Sequence, residues 1–145
     1  MKRRAIVMDI DGVILNTQPL MQEILDRGFT GETKWVHFYK NCNRVNLING
    51  VWELINSFED FVCLVLCTAR NEENYEETAD KMEKEGIYFD DLYMRGKDDY
   101  RQDVEVKRDL LKQIQEKYDI VAFIDDKVTN CEMAKELGIL SLRVV

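Results

Sequence analysis

The chain has 145 residues, 46% of them hydrophobic and 33% charged, enough for one domain with one core and unlike a disordered or membrane-embedded polypeptide. Its formal charge of −8 argues against a broad basic face that clamps nucleic-acid backbone regardless of sequence, and leaves room only for a local basic strip. No apolar run approaches the roughly 18 residues of a membrane helix, so no membrane partner is expected.

Along the chain, short apolar runs alternate with longer amphipathic ones. Met1, Lys2, Arg3 and Arg4 are basic, but Asp9 and Asp11 interrupt the apolar run behind them, which therefore reads as a first strand over residues 5–10 and not as a signal peptide. Two or three short helices are expected between Gly12 and Phe61, one of them over 50–58 with Val51, Leu54, Ile55 and Phe58 at helical spacing. Residues 61–67 are apolar without alternation, the pattern of a strand covered on both faces. A charged helix over 72–85 stops at Gly86, and 92–94 is a short third strand. Residues 103–118 place Val106, Leu110, Leu111 and Ile114 on one helical stripe. A fourth strand over 120–124, a helix over 127–137 ending at Gly138, and a fifth strand over 140–145 complete the pattern.

Strands alternating with helices predict an α/β fold: a three-layer, Rossmann-like arrangement with a central parallel sheet of five strands, in a single domain over residues 1–145. Cys42, Cys63, Cys67 and Cys131 show no CxxC spacing, and two of them lie inside an apolar strand, so a reducing, cytoplasmic setting is expected. Open parallel sheets bind ligands beyond the carboxyl ends of their strands. The polar residues fall there. Asp9 and Asp11 share one side of the first strand's end, Thr68, Ala69 and Arg70 close the second, and Asp125 and Asp126 close the fourth. Carboxylates converging on one crevice repel by about 4 kcal/mol per close pair at an effective dielectric of 20. Lys107 and a hard divalent ion with oxygen ligands would balance them, and Mg²⁺ fits best. Carboxylates, a hydroxyl, a lysine and a metal are what phosphoryl transfer requires.

These residues resemble the four ordered motifs of the haloacid dehalogenase-like superfamily: DxD followed by Gly, a strand ending in Thr or Ser, a Lys, and a terminal DD. The resemblance implies that Asp9 is a nucleophile forming an aspartyl-phosphate and Asp11 a general acid and base. It further implies that Thr68 binds a phosphoryl oxygen and Lys107 neutralises charge. Mg²⁺ would be held by Asp9, the Asp11 backbone carbonyl and Asp125, with Asp126 as a direct or supporting ligand. Asp11 also favours phosphate-ester chemistry, since members with other chemistries often lack this second acid. The intervals from Gly12 to Phe61 and from Thr68 to Lys107 are too short for a full cap, so the fold is expected to be capless or to carry a small helical insert after the first motif.

The stretch from Arg95 to Lys107 has the pattern R-x5-R-x-D-x-x-V-K. It is similar to the segment before the lysine in the 3′-phosphatase domain of bacteriophage polynucleotide kinase/phosphatases, and Thr68-Ala69-Arg70 and the spacing from Asp125 to Met133 agree with that family. The likeness implies substrate-binding roles for Arg70, Arg95, Arg101 and Asp103, the last holding Lys107 in place. It implies a polynucleotide 3′-phosphatase acting on RNA or DNA 3′ ends, with a separate kinase or ligase as a candidate partner; no GxxxxGK[ST] loop is present, so 5′-kinase activity is not expected. A nucleotidase-like small-molecule phosphatase and a binding module without turnover are the alternatives. Trp35, Phe38 and Tyr39 are read as the packing face of a short helix, with base stacking as the alternative. His37 is read as structural, with no zinc set around it.

Overall fold

The structure, a computed structural model, describes residues 1–145. Strand β1 (Arg3–Met8) leads into helices α1 (Gln18–Asp26), α2 (Gly31–Asn41) and α3 (Val51–Asn56). Then follow β2 (Cys63–Asn71), α4 (Tyr75–Lys84), β3 (Asp91–Arg95), α5 (Asp103–Lys117), β4 (Tyr118–Asp125), α6 (Val128–Glu136) and β5 (Ser141–Arg143). The strands form one sheet in the order β3-β2-β1-β4-β5, parallel throughout. The expected five-stranded α/β fold is present. No helix is long and apolar enough to cross a membrane.

Alternation along the central strands sorts the core into two layers. Ala5 and Val7 of β1, Cys63, Val65 and Cys67 of β2 and Phe123 of β4 point to one face. There Val106, Leu110, Leu111 and Ile114 of α5 and Met133 and Ala134 of α6 cover them. Met8, Leu64, Leu66 and Ile124 point to the other face, packed with Val51, Met82 and the loop residues Ile10, Val13, Ile14 and Leu15. The unalternated run of β2 is explained by this double cover. Helix α5 carries Asp103 and Glu105 in its first turn and Lys117 in its last, the favourable sense for the helix dipole. Lys107 lies on its buried stripe, between Val106 and Leu110, and not on its solvent face.

Helices α1 and α2 belong to neither layer. They pack on each other around a small core of Ile24, Phe38 and Cys42. The insert after the first motif is therefore a helical hairpin with its own apolar contacts. The helix expected over 72–85 begins instead with a 3₁₀ turn at Glu72–Asn74, where Asn71 Oδ1 accepts the Glu73 N–H at 3.0 Å.

Strand order places β1 between β2 and β4, the point where successive crossovers leave in opposite directions. Such a switch point opens a crevice at the carboxyl ends of the strands. Irregular pairing sharpens it: Thr68 pairs with Met94 but Asn71 with Arg95, so Ala69 and Arg70 bulge from the register and are re-aimed. Leu111 is fully buried between α5 and the sheet. Replacing it with Ala should lower stability by about 2–5 kcal/mol, seen as a reduced urea midpoint with unchanged slope. A loss below about 1 kcal/mol would contradict this packing.

Candidate active site

The carboxyl ends of β1 and β2 bring Asp9 and Thr68 to the floor of one cleft of about 800 Å³, also lined by Asp11, Lys107 and Asp126, and the end of β4 sets Asp125 fully buried behind it. Lys107 Nζ reaches it from α5, 2.6 Å from Asp125 Oδ2 and 3.0 Å from Asp9 Oδ2. All three are buried. Asp9 Oδ1 accepts the Ile10 N–H at 2.8 Å, and Asp125 Oδ1 accepts the Lys127 N–H at 2.9 Å. The Asn130 side-chain amide donates to both oxygens of Asp125 at 3.2 Å.

Burial pushes the Asp9 carboxyl up to about 8 against the attraction of Lys107, with Asp125 and Asp11 pushing the same way. Burial opposes the charge on Lys107, yet Asp9 and Asp125 hold its ammonium above the ordinary range. Asp126, partly buried, is raised by burial and then by Asp125. Ligand oxygens of Asp9, Asp125 and Asp126 lie within 4.8 Å of one another, and Asp126 Oδ1 is buried with no hydrogen-bond partner. Three acids thus face one lysine, with an orphaned oxygen among them. This donor set fits a hard divalent cation.

Asp11 stands apart from that cluster. Its two oxygens accept from Arg70, Oδ2 from Nε at 2.9 Å and Oδ1 from Nη2 at 2.8 Å. Arg70 is almost wholly buried, and its Nη1 donates to Asn43 Oδ1 at 2.8 Å and Thr78 Oγ1 at 3.2 Å. Burial works against its charge, but Asp11 holds the guanidinium above its ordinary value. Thr68 is buried, and its Oγ1 accepts the Arg70 N–H at 3.1 Å.

The remaining expected residues are paired within the protein. Asp103 does not clasp Lys107. Its Oδ2 accepts from Lys127 at 2.6 Å and its Oδ1 from Arg95 at 2.7 Å, because Lys107 projects from the buried stripe toward Asp9 and Asp125. Burial raises the Asp103 carboxyl, but the Lys127 bond carries it below its usual range. Arg95 is occupied within the protein: it also donates to Ala69 O at 2.8 Å, Asp99 O at 3.0 Å and Arg101 O at 2.6 Å. Arg101 is exposed and bound to Asp99 and Asp109, and that bond holds Asp99 down at about 2. Both arginines line the cleft and also brace the loop between β3 and α5. Asn130, Asn43 and Thr78 went unread in the sequence. Only Asn130 left a signal there, a polar residue in the first turns of the helix after the paired aspartates.

Gly12 follows the first motif with φ +82°, and a Cβ there would collide with the Asp126 carboxylate. Gly138, at φ +80°, has open space instead. Gly138→Ala should cost about 1–2 kcal/mol, and Gly12→Ala distinctly more, read from urea unfolding. Equal losses would mean that Asp126 moves aside freely.

The model of the HAD superfamily, subfamily IIIB (acid phosphatase), matches residues 1–138. No curated protein matches the chain. Among solved structures, a chain of the Pnkp1/Rnl/Hen1 complex superposes with a TM-score of 0.77 at 24% identity, over 99% of this chain and 46% of that one. The class C acid phosphatase from Bacillus anthracis with tungstate bound gives 0.68 at 22% identity, over 90% of this chain and 54% of that one. A haloacid dehalogenase-like family hydrolase from Streptococcus pneumoniae gives 0.73 at 13% identity, over 97% and 84%. This chain therefore spans about half the length of the first two, and these likenesses concern the fold. The family match covers nearly the whole sequence: the chain belongs to the HAD superfamily, subfamily IIIB, a family of acid phosphatases.

Proposed function

We propose that this protein is a Mg²⁺-dependent phosphomonoesterase that works through an aspartyl-phosphate on Asp9 and removes 3′-phosphate from nucleic-acid ends. The observation that carries the hydrolytic reading is the buried Asp9 carboxylate at the floor of an open cleft, held 3.0 Å from Lys107 and grouped with Asp125 and Asp126. An Asp9 oxygen attacks phosphorus in line while the bond to the leaving oxygen breaks. Asp11 acts as general acid toward that oxygen. Asp11 then takes a proton from water, which attacks phosphorus, frees inorganic phosphate and restores Asp9.

The other side chains serve these steps. Arg70 fixes the direction of Asp11, each of whose oxygens keeps a further lone pair beyond the arginine bond. Thr68 offers its hydroxyl hydrogen to a phosphoryl oxygen. Lys107 keeps Asp9 aimed and offsets charge as phosphate enters. Arg95, Arg101 and Asp103 act one step removed, by holding the loop that borders the phosphate. Mg²⁺, when bound by Asp9, Asp125, Asp126 and the Asp11 carbonyl, would neutralise charge on the phosphoryl oxygens.

Nucleic-acid ends are supported by three features. The R-x5-R-x-D-x-x-V-K segment is similar to that of the phage 3′-phosphatases. No full cap closes the cleft. A fold relative belongs to an assembly described as the Pnkp1/Rnl/Hen1 RNA repair complex, which also supports a separate ligase or kinase as partner. The free cysteines Cys42, Cys63, Cys67 and Cys131 suit a reducing, cytoplasmic setting. The acid phosphatase family match favours a second reading, a small-molecule phosphatase such as a nucleotidase, with the α1–α2 hairpin as a partial lid. With Mg²⁺, wild-type protein should release phosphate from a 3′-phosphorylated oligonucleotide in strong preference to the 5′-phosphorylated one and to free nucleotides. Asp9→Asn should abolish it. Turnover persisting in that variant would overturn the aspartyl-phosphate, and preference for free nucleotides would favour the second reading.

A further inference from the structure

The side chain of Asp11 is held by Arg70, and Arg70 is itself held from behind. Both Asp11 oxygens are taken, Oδ2 by Nε at 2.9 Å and Oδ1 by Nη2 at 2.8 Å. A guanidinium carries its five N–H donors in one plane, so the direction in which the Asp11 oxygens face the cleft follows the orientation of that plane. The contact between the two residues does not fix the plane, since the pair can pivot together on two flexible side chains.

The remaining donors of Arg70 supply that restraint. Its Nη1 donates to Asn43 Oδ1 at 2.8 Å and to Thr78 Oγ1 at 3.2 Å, and the Phe38 ring centroid lies 6.0 Å from its Cζ. Asn43 sits in the 3₁₀ turn Cys42–Arg44 that closes the helical insert, and Thr78 sits on α4. The two supports therefore reach one nitrogen from elements distant in sequence. Thr78 is fully buried and Arg70 is 2% exposed, which leaves little access for water to replace a lost acceptor. Neither Asn43 nor Thr78 lines the cleft, whereas Asp11 and Arg70 both do. Whatever the two supports do for the reaction, they do through Arg70.

We propose that Asn43 and Thr78 are positioning residues for the general acid: by fixing the plane of the Arg70 guanidinium they aim Asp11 at the leaving oxygen. This rests on the hydrolytic reading of the cleft and adds what directs its acid. Asn43 makes the insert part of that machinery, as a support of the catalytic geometry and not only as a wall. A misdirected acid has a particular signature. An alkyl leaving group, such as a sugar hydroxyl, departs poorly as an alkoxide and needs the proton as its bond to phosphorus breaks. A 4-nitrophenolate is stable without it. Loss of aim therefore penalises alkyl esters and spares aryl esters, whereas general loosening of the site slows both.

The test compares kcat/KM, which covers the steps through departure of the leaving group, on two kinds of ester with Mg²⁺ present. The aryl ester is 4-nitrophenyl phosphate. The alkyl ester is whichever of a 3′-phosphorylated oligonucleotide, a nucleoside monophosphate and glycerol 2-phosphate the wild type cleaves best. Asn43→Leu removes the acceptor at similar volume and should lower kcat/KM on the alkyl ester about 10–100-fold, with little change on the aryl ester. Thr78→Val should shift the two esters in the same sense, and it carries the test alone if Asn43→Leu does not fold. Asn43→Asp keeps an acceptor in place and should restore most of the alkyl rate. Equal losses on both esters, no loss on the alkyl ester, or Asn43→Asp no better than Asn43→Leu overturns the aiming role and leaves the hydrolytic reading standing. A wild type that cleaves only the aryl ester has no working acid to aim and overturns it too. A wild type that cleaves neither ester overturns the hydrolytic reading, and the aiming role with it.

Discussion

The ammonium of Lys107 lies buried between the carboxylates of Asp9 and Asp125, and the rest of the cleft is organised around that contact. Removing one partner from a buried pair costs about 3–5 kcal/mol in general, because the remaining charge is left unsolvated. Here the loss of the lysine would leave two acids facing each other. The contact also ties three elements at one point: β1 and β4, neighbours in the sheet, and α5, which crosses over them. Any shift of α5 along the sheet would move Lys107 off at least one carboxylate. One cation against two acids, with Asp126 beside them, still leaves negative charge in excess. The fold thus stores a demand for positive charge where the proposed substrate brings phosphate, and a divalent ion meets both.

Around this centre lie pairs of a different character. Arg70 and Asp11 form a bidentate, mostly buried clasp whose further bonds to Asn43 and Thr78 connect the hairpin side of the cleft to α4. Arg95, Asp103 and Lys127 join the loop after β3 to the loop after β4. Arg101 with Asp99 and Asp109 is exposed, and such pairs add little to stability. What these outer pairs supply is direction. They limit where the loop carrying Tyr100 can go.

The sequence made the floor of the cleft legible, because each strand end announces itself by an abrupt change from apolar to charged residues. Asp9 and Asp11, Thr68 and Arg70, and Asp125 and Asp126 all sit at such changes. Lys107 is legible only as the lysine of the ordered motifs and of the R-x5-R-x-D-x-x-V-K segment, since a lysine on an amphipathic helix is ordinarily surface charge. What could not be read was pairing. Asp103 stands one helical turn from Lys107, and local spacing favours that contact; the structure gives it Arg95 and Lys127, brought close by strands distant in sequence. Trp35 illustrates the same gap. Trp35, Phe38 and Tyr39 share a helical face, and nothing local shows that Phe38 and Tyr39 join the hairpin core while Trp35 stays exposed at the cleft.

The hairpin that carries Trp35 has its own small core but is not independent of the site. Its fastenings include Tyr39 on the backbone of Asn71 and Asn43 on Arg70, so it is anchored to the strand that also holds Thr68. These two bonds tie the wall to the strand that carries Thr68, where a full cap domain would stand on linkers. The floor and that wall therefore keep a fixed relation, and the open cleft between them scarcely limits the size of what enters.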